Sequence, residues 1–270
     1  MTYATLINFI KKQKSYLCVG LDSDENKIPV FLQKNTNAII DFNKAIIDAT
    51  ADFCVAYKIN TAFYEAYGTK GWEIIEKTLE FIPKTHFKIA DAKRGDIGNT
   101  SDKYAQTFFE TFNFDAVTVA PYMGEDSVMP FLKYKNKWVI LLALTSNQGS
   151  KDFQQLTLEN GQKVFEKVLE TSQNWGNENN LMYVIGATNP LELKQIREKY
   201  PKHFFLVPGV GAQGGDLNEV SKAALNDNVG LFINASRSIL YASNQEDFAE
   251  KAKKEAQKMQ KEMEKWILTP

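Results

Sequence analysis

Eight short apolar segments recur along the chain, and each is separated from the next by a longer amphipathic stretch. The segments are rich in Val, Ile, Phe and Tyr, which is typical of β-strands. They cover residues 16–21, 53–59, 86–90, 116–120, 138–144, 181–185, 204–207 and 230–233. The intervening stretches carry apolar residues at helical spacing. Because one helix separates successive strands, we predict parallel strands joined by right-handed crossovers.

Eight such units in 270 residues is the repeat number of a TIM barrel. A doubly wound open sheet would alternate in the same way, but no Gly-x-Gly-x-x-Gly follows the first strand. Polar residues follow many strands, and in a barrel those ends meet on one rim that holds the active site. They are Asp22, Lys58, Asp91, Ser146, Gln213 and Arg237. We therefore expect an α/β fold, a single (β/α)8 barrel domain over residues 1–270, with an extra C-terminal helix from about residue 245.

Composition excludes several classes of function. The net charge is -1, so there is no basic surface that would favour nucleic acid. No apolar run approaches the ~20 residues of a membrane helix, and the N-terminus does not resemble a signal peptide. Cys18 and Cys54 lie in apolar runs and favour buried thiols in a reducing compartment. The two histidines, His86 and His203, are too far apart in sequence for a zinc cluster. We expect a cytoplasmic protein with no metal, no nucleic acid and no membrane partner.

The most informative segment is 87–100, which reads F-K-I-A-D-A-K-R-G-D-I-G-N-T. Asp91 and Lys93 are two residues apart, so on a strand they point to the same face, and Asp96 falls in the turn beyond. Two nearby carboxylates favour the charged form of a lysine. Lys93 is therefore predicted to be a cation and proton donor, suited to a reaction that builds negative charge on carbon. The alternative is a solvated ion pair at a loop.

Two further segments indicate a phosphate site. The glycine-rich stretch 207–216, V-P-G-V-G-A-Q-G-G-D, follows the seventh predicted strand, and N-A-S-R-S-I at 234–239 follows the eighth. In TIM barrels these two loops frequently bind phosphate, and Arg237 can bind two phosphate oxygens. The alternative is a pair of tight turns with an incidental arginine.

A third group lies after the first, second and fifth strands. Asp22 and Lys58 could hold hydroxyl groups between a phosphate and the reacting centre, although Asp22 could equally cap a helix. The segment 145–150, T-S-N-Q-G-S, offers neutral donors and acceptors suited to the amide edge of a base.

With these residues placed, the chain resembles the orotidine 5′-monophosphate decarboxylase family. The resemblance is carried by residues 91–100, D-A-K-R-G-D-I-G-N-T, by 57–66, Y-K-I-N-T-A-F-Y-E-A, and by 208–216, P-G-V-G-A-Q-G-G-D. It extends from about residue 17 to about residue 239. The family implies a cofactor-free decarboxylation of orotidine 5′-monophosphate to uridine 5′-monophosphate, the last step of de novo pyrimidine synthesis.

The resemblance also implies roles for individual residues. Lys93 would protonate carbon 6 of the pyrimidine as carbon dioxide leaves, with Asp91 near the departing carboxylate. Asp96 and Thr100 would reach into the site of a neighbouring subunit, which implies a homodimer with shared active sites. The remaining implied substrate contacts are Asp22 and Lys58 to ribose hydroxyls, Ser146 to the base, and Gln213 and Arg237 to the phosphate, with Gly211 and Gly214 shaping the phosphate loop.

Two other functions remain open at this stage. The first is a metal-dependent sugar-phosphate decarboxylase or aldolase of the same superfamily, which uses magnesium held by a glutamate at the end of strand two. This chain has Lys58 there, and a lysine is a poor neighbour for a divalent cation. The second is a nucleotide-binding barrel without catalysis, which would have no use for a proton donor such as Lys93.

Overall fold

The strands close into a complete barrel in sequence order, as predicted. The computed structural model describes residues 1–186, 189–210 and 215–268. In these residues eight parallel strands form one closed sheet, so the TIM-barrel prediction is confirmed. The strands are Leu17–Gly20 (β1), Ala56–Asn60 (β2), Phe87–Arg94 (β3), Ala116–Val119 (β4), Trp138–Leu144 (β5), Leu181–Ile185 (β6), Phe205–Val207 (β7) and Leu231–Ala235 (β8). Each matches one predicted segment, and β3 continues furthest beyond its segment, to Arg94.

Helices connect the strands on the outside of the barrel. They are Tyr3–Gln13 (α1), Val30–Gln33 (α2), Ala38–Thr50 (α3), Ala62–Glu65 (α4), Thr69–Phe81 (α5), Gly98–Gln106 (α6), Glu125–Leu132 (α7), Val164–Ser172 (α8), Pro190–Lys199 (α9), Leu217–Ala224 (α10), Arg237–Leu240 (α11) and Phe248–Leu268 (α12). The carboxylate of Asp216 accepts from the first backbone N–H groups of α10, which fixes where that helix starts. The C-terminal helix α12 packs against α3 and buries Ala252, Ala256 and Met263.

Aromatic side chains fill the amino-terminal end of the barrel. Phe87 and Phe232 stack with ring centroids 5.5 Å apart, and Phe204 lies 5.5 Å from Phe232. Trp138 meets Phe87 edge-on at 6.2 Å. All four are fully buried, and offset or edge-on aromatic packing of this kind adds to the gain from burial. A ligand therefore reaches the interior from the opposite end, where the strands finish.

Two further features of the described residues bear on function. No helix among them is both long enough and apolar enough to cross a membrane. Cys18 and Cys54 are buried free thiols, and burial raises the pKa of the Cys54 thiol to about 12.

Candidate active site

Four charged side chains alternate in sign along the rim of the barrel, at the ends of β1, β2 and β3. The Lys58 ammonium donates to Asp22 Oδ1 at 3.3 Å and to Asp91 Oδ2 at 2.9 Å. The Lys93 ammonium donates to Asp91 Oδ1 at 2.6 Å. Parallel pairing aligns these strand ends, since Gly20 is paired with Lys58 in the ladder. The structure thus brings four of the predicted residues into one charge row, Asp22–Lys58–Asp91–Lys93.

The side chains of the charge row stabilise one another's ionised forms. Burial alone would lower the pKa of the Lys58 ammonium, but the carboxylates of Asp91 and Asp22 outweigh it and raise that pKa above its ordinary value. Burial alone would raise the pKa of Asp91, but the ammoniums of Lys58 and Lys93 hold it well below its usual range. At neutral pH Lys58 and Asp91 therefore carry fixed opposite charges, an arrangement that needs no reorganisation during a reaction.

A bulge in β3 determines where Lys93 stands. Ala90 is paired with Val117 of β4, and Arg94 is paired with Val119. Residues 91–93 therefore face a single residue of β4, and Lys93 has a φ of 48°, in the left-handed region. A non-glycine residue rarely adopts this conformation unless its surroundings enforce it.

A cleft of about 190 Å³ opens beside the charge row. It is lined by Asp22, Lys58, Asn60, Asp91, Pro208, Gly209, Val210, Asn234, Ser236, Arg237 and Ser238. The cleft therefore joins the charge row to the loops after β7 and β8, as the barrel topology predicts. Within the part of the chain that the structure describes, the Arg237 side chain is exposed and has no hydrogen bond or ion pair, so it is free to bind an anion.

Three predicted residues of the glycine-rich loop, Gly211, Gln213 and Gly214, lie outside the described residues. The loop is described as far as Val210 and again from Gly215, whose backbone N–H donates to the carbonyl of Gly209 at 3.3 Å. Both ends of the loop thus return to the mouth of the cleft.

The other predicted residues lie apart from the charge row within one chain. The Asp96 carboxylate accepts from the backbone N–H of Ile97 at 2.8 Å, and among the described residues it makes no ion pair with Lys93. The sequence predicts a carboxylate on each side of Lys93. Among the described residues of a single chain, Asp91 takes such a position and Asp96 does not, because Asp96 lies beyond the strand end. Thr100 is exposed in the first turn of α6. Ser146 follows β5 and lies against Gly186, where an added Cβ would be 3.0 Å from the Ser146 nitrogen.

Four polar residues of the cleft were not predicted from sequence: Asn60, Asn234, Ser236 and Ser238. Asn60 ends β2, whereas Asn234 and Ser236 lie at the end of β8. Asn234 Oδ1 is buried and has no hydrogen-bond partner among the described residues. Asn60 and Asn234 directly follow predicted strand segments, so the criterion that selected Asp22 and Asp91 would also have found them. An added Cβ on Gly20 would lie 1.9 Å from Ser236 Oγ, so the glycine leaves room for the Ser236 side chain beside β1.

The end of β3 is also fixed from the outside of the barrel. The Arg94 guanidinium forms an ion pair with Glu65 of α4 and lies over the ring of Tyr104, 5.4 Å from its centroid. Arg94 Nη1 also donates to the carbonyl of Ala92 at 3.1 Å. These contacts stabilise the bulged segment that carries Lys93.

The donor set does not favour a metal ion. Across residues 1–186, 189–210 and 215–268, no three His, Cys, Asp or Glu side chains are grouped so that they could hold one. The carboxylates of Asp22 and Asp91 are paired with the ammonium between them, which disfavours a second cation at that position.

Comparison of the sequence with known proteins shows which family it resembles. Residues 15–252 match the family model described as the orotidine 5′-phosphate decarboxylase / HUMPS family. A protein of Phocaeicola vulgatus named orotidine 5′-phosphate decarboxylase is 58% identical over 268 residues, which is 98% of each chain. A Flavobacterium johnsoniae protein of the same name is 57% identical over 266 residues, which is 97% of each chain.

Solved structures give the same result. The Leishmania donovani OMP decarboxylase superposes with a TM-score of 0.81 at 35% identity, covering 96% of this chain and 99% of that one. The UMP synthase of the same organism superposes with a TM-score of 0.83 at 37% identity, covering 96% of this chain and 57% of that one. The family match, the full-length relatives and the barrel with its charged rim agree, and the chain belongs to the orotidine 5′-phosphate decarboxylase / HUMPS family.

Proposed function

We propose that this chain is a carboxy-lyase that converts orotidine 5′-monophosphate to uridine 5′-monophosphate in pyrimidine synthesis. The observation that carries the proposal is the charge row, in which the Lys93 ammonium lies 2.6 Å from a mostly buried, ionised Asp91. The cleft beside it runs to Arg237. Relatives 55–58% identical over nearly the whole chain are named for this activity.

The chemistry follows from the charges. When the bond between carbon 6 and the carboxylate breaks, carbon dioxide leaves and the electron pair stays on carbon 6. Lys93 Nζ donates a proton to that carbon and becomes a neutral amine, which regains a proton from water. A fixed ammonium stabilises the developing negative charge, and Asp91 holds that ammonium at the end of β3. Lys58 in turn keeps Asp91 ionised.

Arg237 is proposed to bind the 5′-phosphate at the far end of the cleft, with Gln213, Gly211 and Gly214 of the glycine-rich loop. Binding energy from this remote phosphate can offset the cost of closing the site around the reacting ring. The nucleoside orotidine, which lacks the phosphate, is therefore expected to react far more slowly than the nucleotide. Equal rates for the two substrates would contradict this role of the phosphate.

The remaining substrate contacts are proposed from position in the fold. Asp22 and Lys58 line the cleft between the catalytic pair and Arg237, where the ribose hydroxyls of a bound nucleotide would lie. Ser146 follows β5 on the same rim, where it can hydrogen-bond the pyrimidine.

The direct test is the loss of ultraviolet absorbance of orotidine 5′-monophosphate in the presence of EDTA. Wild-type protein should consume the substrate, Lys93→Ala should not, and Lys194→Ala on the outer helix α9 should match wild type. No loss of absorbance, together with Mg²⁺-dependent turnover of a sugar phosphate, would instead indicate a metal-dependent sugar-phosphate enzyme. Tight binding of uridine 5′-monophosphate without turnover would indicate a binding protein.

We also propose a homodimer in which Asp96 and Thr100 complete the site of the partner. Ile97, next to Asp96 in the chain, is 55% exposed, and Tyr122, after the neighbouring strand β4, is 91% exposed. Met123 joins them, because its Cε lies 3.5 Å from where a Cβ on Gly95 would be. An exposed apolar patch of this kind next to a charged rim is typical of an interface with another protein chain.

A mixing experiment tests the shared site. Lys93→Ala and Asp96→Asn are each expected to be inactive, but a mixed dimer has one site with both changes and one site with neither. Random reassociation should therefore restore about a quarter of wild-type activity for a two-fold dimer. A mixture that stays inactive, although co-purification of two differently tagged variants shows mixed dimers, would place Asp96 in the site of its own chain.

A cytoplasmic location is part of the proposal. Two buried free thiols suit a reducing compartment, where disulfides are rare. Fractionation of the source cells followed by the absorbance assay tests this.

A further inference from the structure

Thr118 of β4 lies directly opposite the bulge that carries the proposed proton donor. Its side chain is buried, with 1% of its surface exposed. The backbone N–H of Lys93 donates to Thr118 Oγ1 at 2.9 Å, and Thr118 Oγ1 donates to Asp91 Oδ1 at 3.1 Å. One hydroxyl thus contacts both members of the catalytic pair.

The direction of these hydrogen bonds is fixed by the groups involved. A backbone N–H can only donate, and an ionised carboxylate can only accept. The hydroxyl proton of Thr118 must therefore point at Asp91, and an oxygen lone pair must face Lys93. This dual role uses both capacities of a hydroxyl, and neither valine nor alanine could reproduce it.

The bulge explains why these contacts matter. Since residues 91–93 face one residue of β4, the ladder offers no backbone carbonyl to the N–H of Lys93 at this point. Thr118 Oγ1 takes the place of that carbonyl and so stabilises the left-handed backbone of Lys93. The regular ladder resumes beyond, where the N–H of Ala120 donates to the carbonyl of Arg94 at 2.8 Å.

We infer that Thr118 is a positioning residue: it acts through Lys93 and Asp91, fixing the ammonium relative to the carboxylate. The inference rests on the proposed function, because its effect is measured on the decarboxylation step. A small misplacement of a reacting group can cost about 100-fold in rate. Substrate binding at Arg237, at the other end of the cleft, does not depend on Thr118.

The experiment compares Thr118→Val, which keeps the shape and removes the hydroxyl, with Thr118→Ser, which keeps the hydroxyl. We expect Thr118→Val to lower kcat by about 10- to 100-fold with KM changed less than about threefold, and Thr118→Ser to stay within about threefold of wild type. Rates are divided by the number of sites that bind uridine 5′-monophosphate, so partial misfolding does not imitate the effect. If Thr118→Val does not fold, Thr118→Ala is measured in the same way.

A matched control separates positioning from general stability. Thr50 is a buried threonine whose hydroxyl bonds the carbonyl of Ile46 and the hydroxyl of Tyr57, away from the cleft. Thr50→Val should lose stability but keep kcat. An unchanged kcat in Thr118→Val, or a serine variant as slow as the valine variant, would overturn the inference. Absence of turnover in the wild type would instead refute the proposed function, so the two failures are distinguishable.

Discussion

Replacing Lys58 by methionine should destabilise the fold, because it removes the cation that lies between the carboxylates of Asp22 and Asp91. The side chain of Lys58 is 6% exposed and pairs with Asp22 at 3.3 Å and Asp91 at 2.9 Å. Removing one partner of a buried ion pair typically costs ~3–5 kcal/mol, because a charge is left buried without compensation. Asp22 is 21% exposed and Asp91 keeps Lys93, so water and the second lysine offset part of the loss. We expect a decrease of about 3 kcal/mol in the free energy of unfolding.

Urea unfolding followed by circular dichroism at neutral pH measures this decrease. The matched control is Lys44→Met, because Lys44 pairs with Asp48 on the surface of α3, with side chains 52% and 58% exposed. That variant should lose less than about 1 kcal/mol. If Lys58→Met loses no more stability than Lys44→Met, the charge row is not a buried electrostatic unit, and the reasoning is refuted.

The pH dependence gives an independent check. The depressed pKa of Asp91 stabilises the wild-type fold above the ordinary carboxyl pKa of about 3.9, and this contribution is lost as the pH falls towards the folded value. Lys58→Met removes the strongest single cause that lowers the pKa of Asp91. The difference in the free energy of unfolding between wild type and variant should therefore narrow as the pH drops from about 7 to about 3. If the difference in the free energy of unfolding stays constant over this range, Lys58 does not lower the pKa of Asp91.

Two further predictions concern the cleft. Arg237→Ala should lower kcat/KM for the nucleotide by about 10- to 150-fold, which corresponds to the ~1.5–3 kcal/mol of hydrogen bonds to a charged group. The rate with orotidine should be unchanged. An equal loss with orotidine would show that Arg237 does not act through the phosphate. Gly20→Ala should lower the free energy of unfolding by about 1–3 kcal/mol, because the new Cβ overlaps Ser236 Oγ. Adding Ser236→Ala should recover part of that loss in urea unfolding, and a double variant no more stable than Gly20→Ala would contradict the steric explanation.

The barrel and much of its rim could be predicted because both depend on local patterns. Apolar runs of strand length recur with helical stretches between them, and every strand of the barrel lies on one of those runs. The polar residues that end the strands then share a rim by topology alone. This is why Asp22, Lys58, Asp91 and Arg237 could be grouped as lining one site before any distance was known.

The bulge could not be predicted in this way, because it depends on the neighbouring strand. Regular alternation already places Asp91 and Lys93 on one face, so their sequence gives no sign that Lys93 adopts a left-handed conformation. The register shift is defined by the pairing of β3 with β4. Thr118 of β4 lies in an apolar run, so the sequence predicts a core residue there. The pairing of Lys58 with both carboxylates likewise depends on how β1, β2 and β3 align.

The site divides physically into a rigid part and a part built on loops. Lys58, Asp91 and Lys93 are carried by β2 and β3, where the strand ladders and the ion pairs with Asp91 restrict them. Arg237 and the glycine-rich loop follow the ends of β8 and β7. Fixed charges suit the chemical step, since groups that do not move need no reorganisation as charge develops on carbon. Loops suit a ligand that must enter and leave, since their conformations can change without disturbing the barrel. Substitutions at Asp91 and Lys93 should therefore act mainly on kcat, and substitutions in the loops after β7 and β8 should act through the phosphate.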